Sequence, residues 1–242
     1  MEVLQRGSNS PQVLLLHLLL NKKLHSNLSS NPATAAGLSF GPVTESAVLN
    51  FQQRQRTLKV DGVVGLRTWK ALGNVIDINH KAQHFFQPDP TTCWSAAVTI
   101  MLGTNMSVGP GGAMLDAPGT GKAGALSVPD PRRPGVPADN INKFAKAYGL
   151  NSSAPQTYTA QRLASFLFHG PFVMMGFSLK TATSQTRHAY VVAGMIGDGS
   201  DGCTMLHVLD PLRAPNNGGD TWVIYASMLR VFPQATEWIL YR

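Results

Sequence analysis

A short signal recurs in the first third of the chain. Gly41 stands three residues before Thr44 and Gly65 three before Thr68, and the two pairs are 24 positions apart. Glycine allows a tight turn into a helix, and a threonine three residues on can satisfy backbone groups in the first turn. Apolar residues follow at helical spacing, as Ala47, Val48 and Phe51 in one unit and Leu66, Trp69 and Leu72 in the other. Ahead of both, Pro11 to Leu24 reads as an apolar helix whose proline suits its first turn. Residues 1 to 73 are therefore expected to form a compact three-helix module.

The most apolar stretch, Val13 to Leu20, is interrupted by His17 and ended by Asn21-Lys22-Lys23. No basic flank followed by a small-residue cleavage site surrounds it, and it is too short to span a bilayer. Neither a signal peptide nor an integral membrane segment is expected. The net charge of +7 and pI near 9.6 favour an acidic partner: nucleic acid, anionic lipid or a carboxylate-rich cell wall. The cations are scattered, the densest groups being Arg54 to Arg56, Lys59 and Arg132-Arg133, which reads as a solvated basic surface. Nucleic acid is not an expected partner. The two cysteines, Cys93 and Cys203, do not make a disulfide scaffold, although their pairing stays open. Without Cys/His clusters at ligand spacing, neither a metal nor another cofactor is expected.

Residues 74 to 81 read as a linker or a first strand, with Val75, Ile76 and Ile78 able to pair. A helix is expected from Cys93 to Leu102. The Gly- and Pro-loaded stretch 103–137 disfavours regular structure and is expected to form a flap beside the cleft. Helices over 140–148 and 159–167 precede strands at 172–177, 188–195, 204–209, 221–225 and 238–241. Helices first and an antiparallel sheet after define an α+β order.

Chemistry concentrates on four residues. Cys93 opens its helix, where the macrodipole favours a thiolate, the useful nucleophile. Gln87, six positions earlier, carries an amide able to donate to the oxyanion formed when a thiolate attacks a carbonyl. His188 begins a buried strand and suits a general base. Asp210 ends the following strand, and antiparallel pairing would bring its carboxylate to the imidazole to fix the tautomer. Other candidates read as structural. His207 is a lone strand histidine, Cys203 follows a turn, and His80, His84 and His169 lack companions at useful spacing. Trp94 reads as packing.

Two resemblances follow from these residues. Leu4-Gln5-Arg6-Gly7, then Gly41-x-x-Thr44-x-x-Ala47-Val48-x-x-Phe51-Gln52, then Asp61-Gly62-x-x-Gly65-x-x-Thr68-Trp69 resembles the peptidoglycan-binding module of wall hydrolases, over residues 1–73. It departs at Gly37-Leu38-Ser39, where that family often shows a second Asp-Gly. Gln87-x5-Cys93-Trp94, His188-Ala189 and Asp210-Pro211 resemble the papain-like superfamily, in particular bacterial double-glycine leader peptidases and effector cysteine proteases, over residues 82–242. The resemblances imply an α+β chain: a small three-helix module, a linker over 74–81, and a papain-like domain with an N-terminal catalytic helix and an antiparallel sheet. They imply a cysteine hydrolase that cleaves amide bonds through a thioester on Cys93. Peptidoglycan peptides are the first expected substrate, cut by an antibacterial effector or a lysin. A protein substrate for an effector protease, or a catalytically silent wall-binding protein, are the alternatives. As an effector it would be made in the cytoplasm, delivered without a classical signal peptide to the periplasm or a target cell, and matched by an immunity protein in the producer.

Overall fold

The computed structural model describes residues 1–31, 34–73, 75–87, 93–103, 141–147, 149–177, 187–231 and 237–242. The helical part holds three main helices, α1 (Pro11–Leu24), α3 (Pro42–Arg54) and α4 (Leu66–Leu72), and the one-turn α2 (Ala35–Leu38). Val13, Leu14, Leu15, Leu16, His17, Leu19 and Leu20 are all buried, so α1 is enclosed around nearly its whole circumference. A helix apolar all round has to be covered on all sides. Val48, Phe51, Trp69 and Leu72 of α3 and α4 supply part of the cover, and Ile196, Met205 and Ile224 of the C-terminal sheet, with Cys203 in the turn before Thr204, join the same core.

Polar groups inside the module are individually matched. Buried His17 donates from Nδ1 to the Ser29 carbonyl at 2.8 Å and accepts at Nε2 from Thr44 Oγ at 2.8 Å. Burial lowers its pKa, so it is held neutral. Thr44 and Thr68 thus act inside the core, Thr68 donating to the Val63 carbonyl at 3.3 Å, where the sequence suggested first-turn caps. Gly41 and Gly65 have the same extended backbone, φ −92° and ψ −174°, with open space where a Cβ would stand. Their conformation does not require glycine. Gly62 is different, with φ +73°. Gln52 secures that turn: its Oε1 accepts from the N–H groups of Asp61 (3.0 Å) and Gly62 (2.9 Å), and its Nε2 donates to the Val63 carbonyl (2.9 Å).

The C-terminal part is a seven-stranded antiparallel sheet. Its strands are β1 (Ile76–Asn79), β2 (Asn151–Gln156), β3 (Phe172–Phe177), β4 (Arg187–Gly197), β5 (Thr204–Leu209), β6 (Asp220–Ile224) and β7 (Glu237–Tyr241). The order is β2-β7-β3-β4-β5-β6, and β1 pairs with the far half of β4. The stretch expected as linker or first strand thus contributes β1, in register from Ile76↔Gly197 to Asn79↔Gly194. Gly194 is needed there, because a Cβ would lie 2.7 Å from the Ile78 carbonyl oxygen. Polar β2 and helix α8 (Tyr225–Val231) were not expected from the sequence.

Helices cover both faces of the sheet. On one, α5 (Cys93–Leu102) and α6 (Ile141–Ala147) pack Trp94, Ala97, Val98, Met101 and Ile141 against Val173, Ala189, Val191, Leu209 and Leu240. On the other, α7 (Ala160–Leu167) and α8 pack Leu163, Leu167 and Met228 against Phe172, Met174, Val192, Leu206 and Ile239. Odd and even strand residues alternate between the two clusters, as the period of a strand requires. The expected flap, beyond Gly103, lies outside the described residues.

Candidate active site

Strand register brings the histidine and the carboxylate together. In β4 and β5, Val191 pairs with Leu209. His188, near the start of β4, and Asp210, just past the end of β5, therefore lie at the same end of the antiparallel pair. His188 Nε2 donates to Asp210 Oδ1 at 2.6 Å, short enough for a charge-assisted bond. That bond leaves Nδ1 for the hydrogen bond His188 makes with Cys93. Cys93 opens α5 and is 6% exposed, in the cluster that also holds Ala189, Val191 and Leu209, the strand neighbours of His188 and Asp210.

Burial would lower the pKa of His188, but the hydrogen bonds to Asp210 and Cys93, with the charges of both, outweigh it and raise the value to about 9. The imidazolium is therefore the resting form at neutral pH. Burial alone would raise Asp210. The hydrogen bond and charge of His188, the Leu212 N–H and the nearby Arg213 instead hold it below the ordinary carboxylate range. Asp210 Oδ1 also accepts from Leu212 N–H at 2.9 Å, and Arg213 Nε lies 3.6 Å from Oδ2.

Gln87 is buried, and its backbone N–H donates to the Pro211 carbonyl at 2.8 Å. It is thereby tied to the residue that follows Asp210. The same segment brings in a residue set aside in the sequence for want of companions at useful spacing: His84 Nε2 lies 2.8 Å from the Asp210 carbonyl oxygen. No spacing rule would have found it, since 126 positions separate the two.

The remaining candidates are accounted for by packing or local bonding. Trp94 is 2% exposed inside the α5 core. His207 bonds Asn79 Oδ1 at 3.0 Å and Asp220 Oδ1 at 2.7 Å and stacks on Trp222, linking β1, β5 and β6. His80 bonds the Leu167 carbonyl at 2.8 Å. Cys93 and Cys203 are free thiols; burial pushes the Cys203 thiol up, and its sulfur rests 3.8 Å from the Leu18 carbonyl oxygen. Among the described residues, no three His, Cys, Asp or Glu side chains converge as metal ligands, and no helix is long and apolar enough to cross a membrane.

The sheet, its covering helix and a thiol beside a histidine-carboxylate pair are those of a papain-like cysteine protease. Residues 73–228 match the family described as papain-like cysteine protease AvrRpt2, and the chain belongs to that family. Residues 9–72 match a putative peptidoglycan binding domain. No curated protein matches the chain.

Proposed function

We propose that Cys93, His188 and Asp210 form the catalytic triad, with Gln87 as oxyanion donor, of an enzyme that cleaves amide bonds in peptidoglycan peptides. The observation that carries this reading is His188 bonded to Asp210 on one side and Cys93 on the other. Cys93 sulfur attacks the carbonyl carbon, and the negative oxygen that forms is stabilised by the Gln87 amide. As the C–N bond breaks, His188 gives its proton to the leaving amine, and a thioester remains on Cys93. Water then attacks the thioester while His188 accepts one of its protons; the C–S bond breaks, the acid leaves, and the sulfur and the imidazolium return to their starting state. Asp210 stabilises the imidazolium and fixes which nitrogen faces the sulfur.

The peptidoglycan-binding match over residues 9–72 supports the wall as substrate, since a bound module raises the local concentration of its polymer. A protein substrate is the second reading, favoured by the protease family to which residues 73–228 belong. An effector delivered between bacteria would act on the first substrate and require an immunity protein in the producer. Purified peptidoglycan and, separately, an unfolded protein are incubated with the wild type and with Cys93→Ala. Soluble peptides released from the wall by the wild type alone support the first reading. Degradation of the protein alone moves the assignment to the second, and equal products from both enzymes remove the triad.

A further inference from the structure

The groups that hold Asp210 in place come from three directions. Its N–H donates to the Gly219 carbonyl at 2.8 Å, across the β5–β6 connection. Within its own turn, its carbonyl accepts from Arg213 N–H at 3.2 Å and its carboxylate from Leu212 N–H at 2.9 Å. The third hold is the distant one, His84 Nε2 to the same carbonyl at 2.8 Å. Because a carbonyl only accepts, His84 must carry its proton on Nε2.

That carbonyl controls the geometry of the site. Asp210 precedes Pro211, whose ring fixes its own φ and confines the preceding residue to extended conformations. Within that range the remaining freedom is ψ of Asp210, and ψ sets where its carbonyl points. A hydrogen bond to this oxygen therefore limits the swing of the peptide next to the carboxylate. The neighbouring bond, Gln87 N–H to the Pro211 carbonyl at 2.8 Å, joins the same two segments. The stretch from His84 to Gln87 thus straps the Asp210 turn at two successive residues.

We propose that His84 is a positioning residue for the reaction: its hydrogen bond to the Asp210 carbonyl holds the Asp210 carboxylate at bonding distance from His188 and ties that distance to the placement of Gln87. The proposal rests on reading Cys93, His188 and Asp210 as the triad. Among the described residues, the charged and titratable groups facing His188 are Asp210 and Cys93, with Arg213 behind Asp210 and the Tyr190 ring, on the same strand, 6.5 Å from the imidazole between centroids; none of these is altered in the His84 variants. A change in the His188 titration on altering His84 thus reports the Asp210 geometry.

The test compares full-length wild type, His84→Ala and His84→Gln, the glutamine amide being able to donate to the same oxygen. Turnover is followed on whichever of purified peptidoglycan or unfolded protein the wild type cleaves, and the His188 ring is titrated by NMR. In His84→Ala, kcat falls about 10- to 100-fold, the cost of misplacing a catalytic group by about 1 Å, with KM nearly unchanged. The His188 titration moves from about 9 toward 6.5. His84→Gln recovers most of both. An unchanged His188 titration in His84→Ala overturns the proposal, as does a loss confined to melting temperature that glutamine fails to rescue. If His84→Ala does not fold, the comparison of His84→Gln with His84→Leu by the same titration decides. Full turnover in Cys93→Ala would instead remove the triad, a different failure, and the NMR titration distinguishes the two because it needs no substrate.

Discussion

His188 and Asp210 are 22 residues apart in the chain and 2.6 Å apart in the site, and the bond between them gives each an altered charge range. The raised His188 and the lowered Asp210 are two sides of one ion pair. Because folding raises the His188 value, its contribution to stability is complete below about 6.5, the unfolded value, and is lost as pH rises through about 9. Asp210, held low, contributes above its unfolded value of 3.8 and loses that contribution as pH falls through its lowered value.

The alkaline limb of turnover should therefore follow His188, with an inflection near 9 in the wild type. Asp210→Asn removes the charge while keeping a side chain that can bond. It should lower kcat by about 10²- to 10⁴-fold and move the inflection toward neutrality. The pH-rate profile checks it, and an inflection left at 9 would show that Asp210 does not set the His188 charge.

The two thiols should behave oppositely. Cys93→Ala should abolish turnover and change stability by no more than about 1 kcal/mol, the thiol being a small group at the core edge. Cys203→Ala should keep turnover. In Cys93→Ala the remaining thiol is Cys203, buried beneath α1 with its sulfur 3.8 Å from the Leu18 carbonyl. Its alkylation in native buffer should proceed only at the rate of complete unfolding measured in denaturant. Faster labelling would mean that the helical part lifts off the sheet by itself.

Gln52→Ala should destabilise the fold by about 2 to 4 kcal/mol, because one buried amide satisfies the N–H groups of Asp61 and Gly62 and the Val63 carbonyl. Urea unfolding checks the size of the loss. A change below about 0.5 kcal/mol would mean that water or the turn itself replaces those bonds.

Much of this was legible in the sequence, for physical reasons that differ from element to element. The strands 172–177 and 204–209 were found with their ends correct, since both are paired on two sides and are largely apolar, His207 and Thr204 being the polar exceptions in the second. Strand β2, Asn-Ser-Ser-Ala-Pro-Gln, stands at the sheet edge and is half exposed, so neither alternation nor apolarity marks it. Cys93, His188, Asp210 and Gln87 could be named as candidates because each sits at the end of an element or in a short motif. His84 could not, because its significance lies in a bond to a backbone oxygen whose position only the fold defines. The threonines of the repeat were noticed for a sound reason and assigned the wrong one: burial against His17 and the Val63 carbonyl, not helix capping, accounts for them.

Helix α1 shares its core with Ile196 of β4 and Met205 of β5, and Lys22 pairs with Asp198 at 2.6 Å across the same junction. Only residues 73–75 separate the end of α4 from the start of β1. A module on a long flexible tether would sweep a volume and offer its enzyme every bond within reach. Seated in this way, it would act as a ruler rather than a leash. A polymer held by the helices would meet Cys93 at one fixed offset along its length. On a regular polymer such an enzyme would select bonds by their spacing from the anchored point as well as by their chemistry.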